Sequence, residues 1–234
     1  MRAIFNREYD TYFRSMLGYV FLTLFLFLGG VMFYFSNLLS LTTSMKNFFS
    51  GMISYSIFLL PLLTMRLFAD DRRTKTEQLL LTAPVSIPEI VLGKFFGAMG
   101  IFLTACFIFM FFPIVMNFYG EVPLAETVSC FIGFILFGGA MIAIGAFMSS
   151  ITESQIIAAV TTYAIMLIIM LLSAIAGSIG IQKLSDAILW ISPMDRFHDF
   201  TMGILNLESV VYYLSLIGLM LFFTIRVFEK RRFS

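Results

Sequence analysis

Charge is what this chain has least of: 12% of its residues are Asp, Glu, Lys or Arg, against 60% hydrophobic and 17% aromatic. Soluble domains carry about a quarter charged residues, so a water-soluble globular class is excluded and an integral membrane protein is expected. One histidine and two cysteines leave no material for a His/Cys metal cluster. No G-x-x-x-x-G-K-[ST] phosphate loop occurs, so nucleotide hydrolysis by the usual phosphate cradle is not expected of this chain. The apolar stretches hold almost no ionisable residues, which argues against an ion-coupled carrier built on an intramembrane charge relay. A net charge of +1 gives no reason to expect a nucleic-acid partner. The partner that the composition demands is the lipid bilayer.

What is present is a series of long apolar runs. A helical crossing of a bilayer takes about 20 residues, and 234 residues accommodate six crossings with short connections. The expected fold is therefore all-α and polytopic, a single membrane domain over 1–234, with spans at 17–35, 48–67, 90–118, 127–148, 155–176 and 210–228. No room is left for a separate catalytic domain. The polar prefix, with Arg2, Arg7, Glu8, Asp10 and Arg14, is too long and too charged for a cleaved signal and is read as part of an uncleaved anchor. Its Phe5, Tyr9, Tyr12, Phe13 and Met16 recur at helical spacing, which predicts an amphipathic helix on the membrane surface. Pro61 should kink the second span and Pro113 should bend or end the third. Gly93 and Gly97 form a small-xxx-small pair. Cys106 and Cys130 fall inside spans, which predicts two buried thiols and no disulfide.

The stretch 65–94 interrupts this pattern with Asp70, Asp71, Arg72, Arg73, Lys75, Glu77 and Glu89. Such residues cost about 2.5–3.5 kcal/mol each at a bilayer centre, so the stretch is expected in water. Thr74-Lys75-Thr76-Glu77 reads as a capping box, in which the threonine oxygen and the glutamate each cover the other's backbone N–H. A short helix should follow through Gln78, Leu79, Leu80, Leu81 and Thr82 and stop at Ala83, because Pro84 disfavours helical backbone before it. Ser86 and Glu89, with Pro88 in the first turn, signal the start of the next helix. A further Ser-x-x-Glu pattern, Ser150 to Glu153, is expected to open the fifth span after a tight turn at 149–154.

Basic residues are distributed unevenly over the connections. Twelve of the 15 (Arg2, Arg7, Arg14, Arg66, Arg72, Arg73, Lys75, Lys94, Arg226, Lys230, Arg231, Arg232) fall on one side of the six-span arrangement, and Lys46, Lys183 and Arg196 on the other. The positive-inside rule then places both termini and the charged stretch in the cytoplasm of a multi-pass protein of the cell (plasma) membrane. The external element, 177–208, carries Leu184, Ala187, Ile188 and Ile191 at helical spacing, with Trp190, Pro193, Asp195, Arg196, Phe197 and His198 as its notable residues. Short helices packed against protein or a cavity are expected there. Asp195, His198 and Asp199 also have the spacing of a metal or acid–base site, although a lone histidine in a capped helix is more often structural.

The sequence RLFADDRRTKTEQLLLTAPVS followed by VLGK, set between the second and third of six spans, resembles the permease subunit of type 2 ABC transporters. More narrowly it is similar to the gliding-motility GldF-like branch. The likeness extends to the turn at Ser149-Ser150 and to SPMDRFHDFTMG (192–203) before the last span. This resemblance implies that the helix at about 75–83 is a coupling helix docking in a separate ATPase subunit, with Thr74, Lys75, Thr76, Glu77, Gln78, Leu79, Leu80, Leu81 and Pro84 as the coupling residues. Many relatives have glycine just before the motif's threonine, where this chain has Lys75. It further implies a dimer with a second permease copy or paralogue, ATP bound by the partner ATPase and no cofactor or catalytic residue in this chain. The expected activity is transport of an amphiphile, lipid-linked molecule, drug or peptide, most naturally export. Two other classes stay open: the membrane part of an ATPase-driven scaffold or lipid-remodelling machine, and an intramembrane enzyme using the His198 region.

Overall fold

A computed structural model describes residues 2–76, 85–176, 190 and 192–232. Ten helices are bounded there: α1 (Arg2–Arg14), α2 (Met16–Phe33), α3 (Lys46–Thr64), α4 (Ala69–Arg73), α5 (Ile87–Phe109), α6 (Phe111–Met116), α7 (Leu124–Ile151), α8 (Gln155–Ala176), α9 (Pro193–Thr201) and α10 (Leu207–Arg232). No strand occurs among the described residues. A π-helical turn, Tyr34–Leu38, extends α2. Six helical stretches are long and apolar enough to cross a membrane: Met16–Leu38, Lys46–Arg73, Ile87–Met116, Leu124–Ile151, Gln155–Ile175 and Leu207–Arg231. The protein is a multi-pass membrane protein.

Local chemistry accounts for several boundaries. Ser86 and Glu89 cap α5 as expected, the Glu89 carboxylate accepting from the Ser86 N–H at 3.4 Å. The third span breaks at Met110, three residues before Pro113, because proline removes the hydrogen bond to the carbonyl of Phe109 and its ring crowds that same group. Pro61, in contrast, lies within α3, which continues to Thr64. The fifth span, α8, opens at Gln155 as expected, but Ser150 does not cap it: that residue is the penultimate one of α7, its hydroxyl donating to the Phe147 carbonyl at 2.6 Å.

The middle of the bundle is α7, with 72% of its apolar window buried against 17% for α10. It contacts α3, α5, α8, α9 and α10. Hydrocarbon tails are as apolar as leucine, so van der Waals fit decides this arrangement. Gly138 of α7 leaves the space that the Phe102 ring of α5 occupies. Around it Phe25, Phe102, Phe109 and Phe134 stack or tilt at centroid distances of 5.5–6.3 Å. Each such pair is worth about 0.5–1.5 kcal/mol beyond buried area. Cys106 and Cys130 are both buried and free.

The N-terminal prefix is a helix, Arg2–Arg14, and it packs on α5 through Glu8 and Tyr9, while Tyr12 reaches α3 and Met16 just beyond it is exposed. Gly97 lets the backbone of α1 come close at Glu8, Gly100 faces the Tyr9 ring, and the Tyr9 hydroxyl lies 3.1 Å from that of Thr104. Gly97 therefore serves helix packing, as the small-xxx-small pattern suggests, and its neighbour is the N-terminal segment.

Candidate functional site

One end of the bundle gathers α1, the charged stretch, the α7–α8 turn and the end of α10. Phe68 meets Phe228 at a centroid distance of 5.1 Å, and the Arg231 guanidinium donates to the Ser150 carbonyl. Twelve basic residues lie on segments that meet here, as the charge count requires of a six-span chain.

The chain leaves α3 at Thr64, turns through 65–68 and makes the single turn of α4. So short a helix cannot hold itself, since it satisfies few of its own backbone groups. Ser149 of α7 holds it. The Ser149 hydroxyl oxygen accepts from the Phe68 and Ala69 N–H groups at 3.0 and 3.1 Å and donates to the Met65 carbonyl at 3.1 Å. A serine some 80 positions away in sequence thus performs the work of an N-cap. On the same side the Arg72 guanidinium pairs with Glu153 at 2.8 Å and donates to the Ile151 carbonyl at 2.9 Å. Asp70 accepts from Gln155 at 2.7 Å and pairs with Arg66 at 2.8 Å. The Ser150–Glu153 pattern is therefore no helix start; Glu153 is the anchor of Arg72.

On the other side stands Lys94, only 2% exposed although it was counted among basic residues in water. An ammonium has three protons to donate. Here it donates to Glu8 of α1 at 3.0 Å and to the Leu67 carbonyl at 2.8 Å, and its charge pairs with Asp71 of α4 at 2.7 Å. The Phe68 ring lies 5.5 Å below the charge. Asp70 and Asp71, expected in water, are thus mostly enclosed, with 21% and 17% of their side chains exposed. Opposite charge in place of hydration makes this tolerable, and removal of one partner from such a group costs about 3–5 kcal/mol. Tyr12 adds a neighbouring link, its hydroxyl donating to the Leu63 carbonyl at 2.9 Å near the end of α3. Burial, and after it the charge of Glu8, raises the Tyr12 phenol well above its ordinary value, so the group stays a neutral donor.

Thr74 is the C-cap of α4, and its hydroxyl donates back to the Asp70 carbonyl at 2.8 Å; the Glu77 side of its expected capping box lies outside the described residues. Lys75 follows with φ +58°, a left-handed conformation that glycine adopts more easily. The Thr76 hydroxyl donates to the Asp71 carboxylate at 3.0 Å. Glu77, Gln78, Leu79, Leu80, Leu81 and Pro84 lie outside the described residues, as does the remainder of the expected short helix.

At the opposite end, α9 begins at Ser192 and Pro193, and the Ser192 hydroxyl accepts from the Asp195 N–H. Arg196 pairs with Glu208 at 3.0 Å, donates to the Trp190 carbonyl at 3.2 Å and stacks 5.1 Å from the Trp190 ring. Phe197 is buried. His198 is exposed and neighbours Thr201, while Asp199 accepts from Ser209 at 2.6 Å. Asp195, His198 and Asp199 are not brought together, and no metal-holding group of three occurs among the described residues. Leu184, Ala187, Ile188 and Ile191 lie outside the described residues.

Sequence reasoning placed Lys94 on this side but not its burial between two carboxylates, and it missed Glu8, Tyr12, Ser149 and Gln155 as members of the charged end. The available signal was a lysine inside an apolar helix, which needs a partner. Among curated proteins no match to the chain was found. The family model described as ABC-2 family transporter protein matches residues 37–228, from the π-helical turn to Phe228. With six apolar helices and a charged, cross-braced connection between the second and third, the chain belongs to the ABC-2 transporter family as a membrane component.

Proposed function

We propose that this chain is the permease subunit of an ATP-driven exporter of the GldF-like branch, with a coupling helix at about 75–83 that seats in a separate ABC ATPase. Both termini and the charged end face the cytoplasm of the plasma membrane, and a second permease copy or paralogue completes the translocation path. The observation that carries this reading is the bracing of α4. A five-residue helix held by Ser149, Arg72 and Asp70 to the α7–α8 turn, and by Asp71 to Lys94, is a stiff base for the segment that follows. A displacement applied there reaches three spans without being absorbed by a slack loop.

Leu79, Leu80 and Leu81 stand in succession in a polar connection. Burying one such side chain is worth roughly 1.5–3 kcal/mol, so a groove on a partner is their economical destination. Leu80→Asp is expected to weaken recovery of the ATPase subunit in a pull-down by about tenfold or more while membrane insertion stays intact. Wild-type recovery of the ATPase by Leu80→Asp protein would remove the coupling assignment.

A further inference from the structure

We infer that Lys94 is a positioning residue that wires the N-terminal helix α1 to the coupling segment, so that α1 moves with α4 when that segment is displaced. The functional meaning of this link rests on the coupling assignment above; the link itself does not.

The Lys94 ammonium reaches three pieces of chain: it donates to Glu8 of α1 and to the Leu67 carbonyl in the turn between α3 and α4, and it pairs by charge alone with Asp71 of α4 at 2.7 Å, whose buried Oδ2 has no hydrogen-bond partner. Its side chain is 3% exposed, so water does not replace a lost partner easily. Glu8 and Asp71 therefore share one counter-charge, and a change in either alters what the other receives. A charge held in common by two otherwise separate elements is a physical basis for coupling between them.

The surroundings fit a transmitted displacement. A cavity of about 240 Å³ lies between α1 and the α3–α4 end, with Arg7, Tyr12, Arg66, Asp70, Thr74 and Lys94 among its walls. Room therefore exists beside the link for α4 to shift without a clash. On the face that carries Glu8, α1 also sits on α5 at Gly97 and Gly100, so a shift of α1 is passed directly to the third span. The Tyr12 bond to Leu63 ties α1 to α3 independently of Asp71 and provides an internal control.

Amide hydrogen exchange of the purified chain in lipid nanodiscs tests this, comparing wild type, Glu8→Gln, Asp71→Asn, Lys94→Met and the Lys94→Met/Asp71→Asn double variant. Asp71→Asn is expected to slow exchange in α1, where Glu8 then holds Lys94 alone, and Glu8→Gln to slow exchange in α4, each by roughly tenfold, while α9 at the opposite end keeps its wild-type rates. In the Lys94→Met background Asp71→Asn should no longer affect α1. Two outcomes overturn the inference: each substitution loosens only its own helix, or α9 slows by the same factor. If Lys94→Met protein does not accumulate, the two carboxamide variants decide the matter. No measurement here involves the ATPase, so a negative result leaves the coupling assignment to stand or fall on Leu80→Asp.

Discussion

At the charged end, the polar links join residues far apart in sequence: Lys94 with Glu8, 86 positions away, Ser149 with Phe68, 81 away, and Gln155 with Asp70, 85 away. In the α9–α10 corner at the opposite end most spacings are short, 6 positions for Arg196 and Trp190, 10 for Ser209 and Asp199 and 20 for Tyr213 and Pro193, the long one being a weak thiol bond from Cys130 to the Phe200 carbonyl, 70 positions away. Both regions place charge at a boundary of the apolar bundle. The first uses it to cross-brace α1, α4, α5, α7 and α8, the second to fold a corner back on itself. A long-range brace carries a displacement between spans, whereas a local one mainly keeps its own shape. This difference points to the charged end as the part through which work enters.

The largest expected effect separates the two ends through their buried cations. Lys94→Met should destabilise the protein by about 3–5 kcal/mol, since Glu8 and Asp71 are left enclosed and facing each other. Arg196→Met should cost only about 1–2 kcal/mol, because Glu208 is 58% exposed and regains water. Thermal unfolding in one detergent measures both, and equal losses would break the distinction.

Ser149→Ala sharpens it at the level of one hydroxyl. Two N–H groups of the α4 start lose their acceptor, for a cost of about 1–3 kcal/mol. Amide exchange should accelerate at Phe68 and Ala69 and stay unchanged in α9. Unchanged exchange at those two amides would mean that α4 holds its own start.

The smallest effect concerns two helix ends of the same geometry. After α4 the left-handed position is Lys75 at φ +58°, its N–H bonded to the Arg72 carbonyl; after α9 it is Gly203 at φ +74°, bonded to the Phe200 carbonyl. Lys75→Gly should stabilise by up to about 1 kcal/mol and Gly203→Ala should destabilise by about 1 kcal/mol. Same-sign shifts in unfolding temperature would show that the two ends are not equivalent.

Six apolar helices, the cap of α5 at Ser86 and Glu89 and the break before Pro113 were all legible in the residues. Hydropathy adds along the chain, and a cap or a proline acts within four positions of itself, so local sequence contains the whole cause. Ser150 shows where that reasoning ends. It carries a valid start signal, yet its hydroxyl bonds backward to Phe147, because a hydroxyl can serve either the turn before it or the turn after it. The choice depends on what holds the neighbouring helix.

The sequence by itself determined that this protein lives in a membrane and has six helices long and apolar enough to cross it. Only the tertiary structure decided that Lys94 is buried between Glu8 and Asp71, that Ser149 caps α4 from another helix and that the N-terminal prefix docks on α5. The physical reason is that these depend on how each helix is rotated and shifted against its neighbours. Side-chain fit between distant segments, such as Gly97 under Glu8 and Gly138 under Phe102, sets that rotation, and no window of local sequence contains both partners.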